Sequence, residues 1–150
     1  MKKFFAKFIK TTSILILSLL LFGSVYESCK VSSNFRNFPP PGKMISLKDG
    51  RKIQLDCRGK GSPIVVFESG GDTFGSMSWY SAHNAAAKYS RACVYSRSGI
   101  MWSDRRSGKT APRAIADDLY NLLAKAGERP PYILVGHSMG GGLITLFSSC

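Results

Sequence analysis

Acidic residues are scarce in this chain. Nine aspartates and glutamates stand against 21 lysines and arginines, which leaves a formal net charge of +12 over 150 residues. That balance favours an anionic partner, but the basic residues are not interleaved with aromatics and match no nucleic-acid-binding motif, which argues against nucleic acid. Cysteine is sparse as well. Cys29, Cys57, Cys93 and Cys150 show none of the closely spaced pairs that zinc sites use, which argues against a metal fold. In an exported protein they would form disulfides whose connectivity cannot be read, and a buried thiol is the other reading for Cys93, which lies in an apolar run. There is no internal repeat. A phosphate-cradling loop is missing too, because Gly108-Lys109-Thr110 would need a glycine where Ser103 stands and a strand directly before it. No cofactor is called for.

One long apolar run is present. Lys2, Lys3, Lys7 and Lys10 precede the stretch from Thr11 to Val25, the layout of a basic n-region and an apolar h-region. The run is shorter than the ~20 residues that span a bilayer comfortably, which favours a cleaved signal over residues 1–28. No small-x-small cleavage site reads well through Ser24-Val25-Tyr26-Glu27-Ser28, so an uncleaved anchor with its basic end in the cytoplasm is the second reading. Either places the remainder outside the cytoplasm, secreted, periplasmic or held at the membrane. Residues 29–42, ending in Phe38-Pro39-Pro40-Pro41-Gly42, read as a polar, proline-rich tether to a domain over 43–150.

Within that domain, two alternating segments, Lys43 to Leu47 and Arg51 to Cys57, flank an Asp49-Gly50 turn and predict a hairpin with one wet face. Ile64-Val65-Val66-Phe67 is a continuous apolar run, the mark of a strand buried on both faces. A helix is expected from about Ser78 to Tyr89, a strand over Ala92 to Tyr95, a helix from Ala111 to Ala126 stopped by Gly127, and a strand over Tyr132 to Val135. Strands alternating with helices predict an α/β fold with a doubly wound, mostly parallel sheet. A second concentration of charge, Arg97, Arg105, Arg106, Lys109 and Arg113, reads as a solvated loop whose charge is expected to be balanced by parts of the protein beyond these residues, or as an attractor of anionic lipid or acidic substrate.

The chemistry concentrates in Gly136-His137-Ser138-Met139-Gly140, directly after a strand and opening a helix. A serine there is lifted out on a strained turn, and the glycines two before and two after it let strand and helix approach. A nucleophilic Ser138 creates an oxyanion that needs preorganised donors. The Met139 N–H, at a helix N-terminus, is one. Gly71, in Glu68-Ser69-Gly70-Gly71-Asp72 after the first buried strand, is chosen as the other. Neither histidine convinces as the base: His137 adjoins the serine on a tight turn and points away, and His83 falls in a helix where a surface or packing role is expected.

The segments Val65 to Gly71, Trp79, Val94 to Asp104, Asp117 to Leu123 and Pro131 to Gly141 together resemble the N-terminal half of an α/β-hydrolase of the esterase, lipase and peptidase type. The resemblance implies a fold truncated after the nucleophile helix, with the triad acid and histidine beyond residue 150. It implies a serine hydrolase acting on an ester or amide bond through an acyl-enzyme on Ser138, with a small-molecule or lipid ester as substrate. The alternative is a non-catalytic protein on the same fold. Ser96 stands where relatives commonly carry an aspartate, which puts the geometry of that loop in question. Ser69 and Gly70 stand where many have histidine and glycine. A sheet that stops at the nucleophile strand has an open apolar edge, so these 150 residues alone are expected to be poorly stable and inactive.

Overall fold

Two patterns of apolar residues build two separate units, one up to Pro39 and one from Pro40 onward. The computed structural model describes residues 2–108 and 110–149, and their side chains except at 2, 6 and 31–36. Lys109 and Cys150 lie outside the described residues.

The first unit is a single helix, α1 (Lys2–Asn37). The stretch from Lys3 to Lys30 is long and apolar enough to cross a membrane. The hydroxyls of Thr11, Ser18, Ser24 and Ser28 each donate to the carbonyl four residues earlier at 2.8–2.9 Å, so these polar groups are satisfied within the helix itself. The helix also occupies most of the stretch expected as a tether from residue 29. Residues 29–37 contain neither proline nor glycine, and nothing stops the helix until Pro39 constrains Phe38.

The second unit holds β1 (Lys43–Ser46), β2 (Lys52–Arg58), β3 (Ile64–Glu68), α2 (Tyr80–Ala86), β4 (Ala92–Tyr95), α3 (Pro112–Ala126), β5 (Tyr132–Gly136) and α4 (Met139–Phe147). The strands form one sheet in the order β1-β2-β4-β3-β5. The hairpin β1–β2 is antiparallel and β2 runs antiparallel to β4, whereas β3 pairs in parallel with both β4 and β5. The sheet is therefore mixed, with a parallel three-stranded centre. Period-two alternation along β3 divides its side chains between two cores. Ile64 and Val66 join Ile53, Leu55, Cys93 and Tyr95 beneath Leu119, Leu122 and Leu123 of α3 and Phe147 of α4. Phe67, with Val94, meets Trp79 and Ala86 on the other face. Helices cover both faces, as the alternating pattern predicts. α3 ends where expected, at Gly127 in the left-handed region with φ 77°.

Two sequence readings are refined. The helix expected over 78–89 is a 3₁₀ turn over Gly75–Trp79 followed by the short α2. Its predicted last residue, Tyr89, is almost fully exposed, and Ser90 turns back to donate to the Pro63 carbonyl at 2.5 Å. The open question about Cys93 closes as a disulfide to Cys57, which joins register-paired positions of β2 and β4. Cys29 is a free, exposed thiol.

His83 takes the packing role. It is buried, and its Nε2 lies 2.9 Å from the Ala92 carbonyl, which assigns the proton to Nε2. Burial holds its pKa below the ordinary 6.5, with the hydrogen bond to Ala92 opposing. The folded state thus binds this proton less readily than the unfolded chain. Its contribution to stability is complete above pH 6.5 and is lost as pH falls below that value towards the folded one. Urea unfolding from about pH 7 down to about pH 5 is expected to show a loss of stability that shrinks in His83→Gln; equal slopes for the two proteins would assign the effect to another group.

Candidate active site

β5 delivers the chain into the turn His137-Ser138, and α4 starts at Met139. Ser138 has φ 53° and ψ −123°, a conformation that costs a non-glycine residue on the order of 1–3 kcal/mol. The turn is fastened by His137 N–H to the Glu68 carbonyl at 3.2 Å, Gly140 N–H to His137 at 2.9 Å and Gly141 N–H to Ser138 at 3.0 Å. The flanking glycines have the steric role the sequence assigns them. A Cβ on Gly136 would sit 2.6 Å from the Gly140 backbone, and one on Gly140 would meet the carbonyls of Glu68 and, at 2.7 Å, Ser69.

Gly70 lies against this turn: a Cβ placed on it would be 3.4 Å from Ser138 Cβ and 3.2 Å from His137 Nδ1. Gly71 and Met139 line a common pocket of about 350 Å3 with Ile53, Asp72, Ile100 and Ile115, among others. The two residues chosen as oxyanion donors thus line one pocket, and the exposed Ser138 precedes Met139 in the chain. The Met139 N–H is among the first of α4, which have no acceptor inside the helix. Among the described residues, no hydrogen bond joins Ser138 Oγ to His83 or His137.

Sequence reasoning missed what holds the glycine loop. Arg97, buried just past β4, donates through Nη1 to the Ser69 carbonyl at 2.8 Å and through Nη2 to the Gly70 carbonyl. The same Nη1 donates to Glu68 Oε1 at 3.0 Å, and Tyr95 OH donates to Glu68 Oε2. Burial pushes the Glu68 carboxyl upward, against the opposing pull of Tyr95 and Arg97. Burial and the neighbouring Glu68 charge raise the Tyr95 phenol well above its usual range. Further along the loop, burial of Asp72 is outweighed by hydrogen bonds from Ser78, Phe74 and Gly75, which hold its carboxyl below the usual range. The signal for the clamp was a charged pair, Glu68 and Arg97, each at the end of an apolar strand.

The loop question raised by Ser96 has a local answer. Its hydroxyl donates to Gln54 Oε1 at 2.8 Å and accepts from the Ser76 N–H at 3.3 Å, so a fully buried serine and glutamine close that loop. The charge cluster is corrected too. Arg97 pairs with Glu68, Arg106 with Asp118 and Arg113 with Asp117, so partners for three of the five members lie within the chain rather than outside it. Glu68 and Asp118 were hidden because they lie 29 and 12 residues from their arginines, whereas Asp117 is four residues from Arg113 on the same helix. Asp118 also takes both terminal nitrogens of Arg51 at 2.7 Å.

A model of the alpha/beta hydrolase fold family matches residues 62–149. The chain belongs to the alpha/beta hydrolase family. An esterase from Exiguobacterium antarcticum is 23% identical with a TM-score of 0.63, over 71% of this chain and 39% of that one. An epoxide hydrolase from Bacillus megaterium is 19% identical with a TM-score of 0.62, over 71% and 37%. These neighbours share the hydrolase fold. A curated protein from Hormonema carpetanum, named a probable transporter, is 39% identical over 87 residues, 56% of this chain and 12% of that protein. This hydrolase-fold chain spans 11 to 39% of the length of the curated relatives it matches.

The glycine contacts make opposite demands within one short segment. Gly136→Ala is expected to cost about 1–3 kcal/mol by urea denaturation, because strand or helix must shift. Gly142→Ala, with open space around the new methyl, is expected to gain about 0.5–1 kcal/mol. Equal effects of the two would contradict the close approach at the turn.

Proposed function

We propose that this chain carries the nucleophile half of a serine hydrolase that cleaves an ester or amide bond through an acyl-enzyme on Ser138. The observation that carries the reading is the strained Ser138 at the start of α4, beside a glycine loop whose Gly71 shares a pocket with Met139. In the proposed reaction Ser138 Oγ attacks the substrate carbonyl carbon and its proton passes to a histidine base. The carbonyl oxygen takes negative charge and accepts hydrogen bonds from the Met139 and Gly71 N–H groups. The intermediate collapses, the C–O or C–N bond breaks, and the alcohol or amine departs with the proton. Water then repeats the sequence on the acyl-enzyme and releases the acid.

We assign the base and its orienting acid, as the resemblance implies, to residues after 150, since among the described residues no hydrogen bond joins the Ser138 hydroxyl to His83 or His137. Arg97, Glu68 and Tyr95 are positioning residues that fix the carbonyls flanking the proposed donor loop. Apolar side chains in the pocket suit a small-molecule or lipid ester. The apolar α1 supports a signal or membrane anchor, and the Cys57–Cys93 disulfide supports an oxidising, extracytoplasmic compartment.

A fluorophosphonate probe applied to the longest natural chain is expected to label Ser138, and Ser138→Ala is expected to lose labelling and on the order of 10⁴–10⁶ in kcat. A folded long chain that is not labelled would favour a non-catalytic protein on this fold. The 150-residue chain alone is expected not to hydrolyse a nitrophenyl ester; hydrolysis abolished by Ser138→Ala would overturn the assignment of the base to later residues.

A further inference from the structure

The pair Cys57 and Cys93 lies 36 residues apart in sequence, a separation that no short-spacing metal motif covers. The sheet register supplies the proximity instead, since β2 and β4 place the two residues opposite each other. Glu128, just past the α3 cap, brings a third donor. Its carboxylate oxygen and the two sulfurs all lie within 4.8 Å of one another. Cys57 is the partly exposed member of the pair and lines a cleft of about 370 Å3 with Lys43, Arg91, Lys125 and Glu128. Cys93 is fully buried.

In the oxidised chain the sulfurs are bonded to each other, and neither is a ligand. A small dithiol reverses this. Its thiolate attacks Cys57 Sγ at the cleft, and Cys93 leaves as a thiolate. The second thiol of the reagent then displaces Cys57, so the reagent departs as a cyclic disulfide and two electrons have passed to the cysteines. The freed sulfurs remain on neighbouring strands. As thiolates, with the Glu128 carboxylate, they bring three negative charges to one point. Arg91, whose Nε and Nη2 donate to Glu128 Oε2 and Oε1 at 2.8 and 2.5 Å, offsets one of them. A divalent cation offsets the other two, so the filled site is neutral. Two thiolates select a zinc-type ion over magnesium or calcium, and three protein ligands leave a fourth tetrahedral position for water.

We propose that reduction of Cys57–Cys93 converts the pair, together with Glu128, into a three-ligand site for a divalent transition-metal ion of the zinc type, giving the sheet a thiol–metal switch. The site is independent of Ser138 chemistry.

The test uses the 150-residue chain with Cys29 and Cys150 replaced by serine, reduced with a phosphine and titrated with Co2+ as the spectroscopic probe. One equivalent is expected to raise a thiolate-to-cobalt charge-transfer band that is absent from the oxidised chain and is bleached by Zn2+. Binding requires deprotonated thiols, so two protons are expected to leave per ion. Glu128→Gln, which keeps both thiols, is expected to weaken Co2+ binding at least about tenfold, and Cys57→Ser is expected to abolish the band. If reduction alone unfolds the sheet, recovery of the far-ultraviolet dichroism on adding Zn2+ also supports the site. No band in the reduced chain, a band that survives Cys57→Ser, or a reduced chain that Zn2+ neither binds nor refolds would each overturn the proposal.

Discussion

The architecture of the candidate site depends on one steric constraint, the approach of β5 and α4 to each other and to the end of β3. At Gly136 and Gly140 the backbones pass so closely that a single methyl would collide with main-chain atoms. The connecting turn then has room for only two residues, His137 and Ser138, and Ser138 takes a positive φ. A serine bears that conformation at a cost that the turn's hydrogen bonds and the packing of Leu143 and Phe147 offset. The same geometry leaves the hydroxyl exposed at a helix N-terminus, where partial positive charge accumulates. Strain, exposure and electrostatics therefore share one origin in two glycines.

The glycine loop opposite the turn is held differently, by charge. Arg97 spends its guanidinium on two carbonyls and one carboxylate, and Glu68 is satisfied in turn by Arg97 and Tyr95. Burying such a pair adds little net stability, because desolvation consumes most of the Coulombic gain. What the network supplies is direction. The carbonyls of Ser69 and Gly70 are pulled towards Arg97, and Asp72 ties down the next turn through Phe74, Gly75 and Ser78. A neutral side chain at position 97 would leave Glu68 buried without its counter-charge, so the loop and the strand end are coupled.

Local signals carried the fold. Continuous apolar runs marked β3, β4 and β5, the Asp49-Gly50 turn marked the hairpin, and Gly127 marked the end of α3. The serine turn was readable because its demands fall on residues two apart. Long-range partners were not. Nothing near Arg106 or Arg97 in sequence shows that Asp118 and Glu68 will face them, so the cluster read as charge balanced from beyond these residues, although the i,i+4 spacing of Arg113 and Asp117 on α3 was itself legible. The pairing of Cys57 with Cys93 required the register of β2 on β4, which only the assembled sheet defines. Tyr89 misled because its spacing fits a helix, whereas tertiary contacts at Ser90 and Pro63 draw the chain off earlier.

The mixed sheet also separates two chemistries. β3 and β5 run in parallel, so their C-terminal ends bring Glu68 and Gly136 side by side at the serine turn. β2 runs the other way, so its last residues, Cys57 and Arg58, pair with the start of β4 at Cys93 and Ala92. The disulfide therefore sits at the opposite end of the parallel strands from Ser138. β4 connects the two ends, with Cys93 near its beginning and Arg97 just past its finish. A change at the cysteines reaches the glycine loop only by moving β4 as a whole, and β4 is packed on both faces by the two cores. Close-packed strands transmit such a shift poorly unless they have a second arrangement to adopt. The two ends are thus best regarded as independent sites on one sheet.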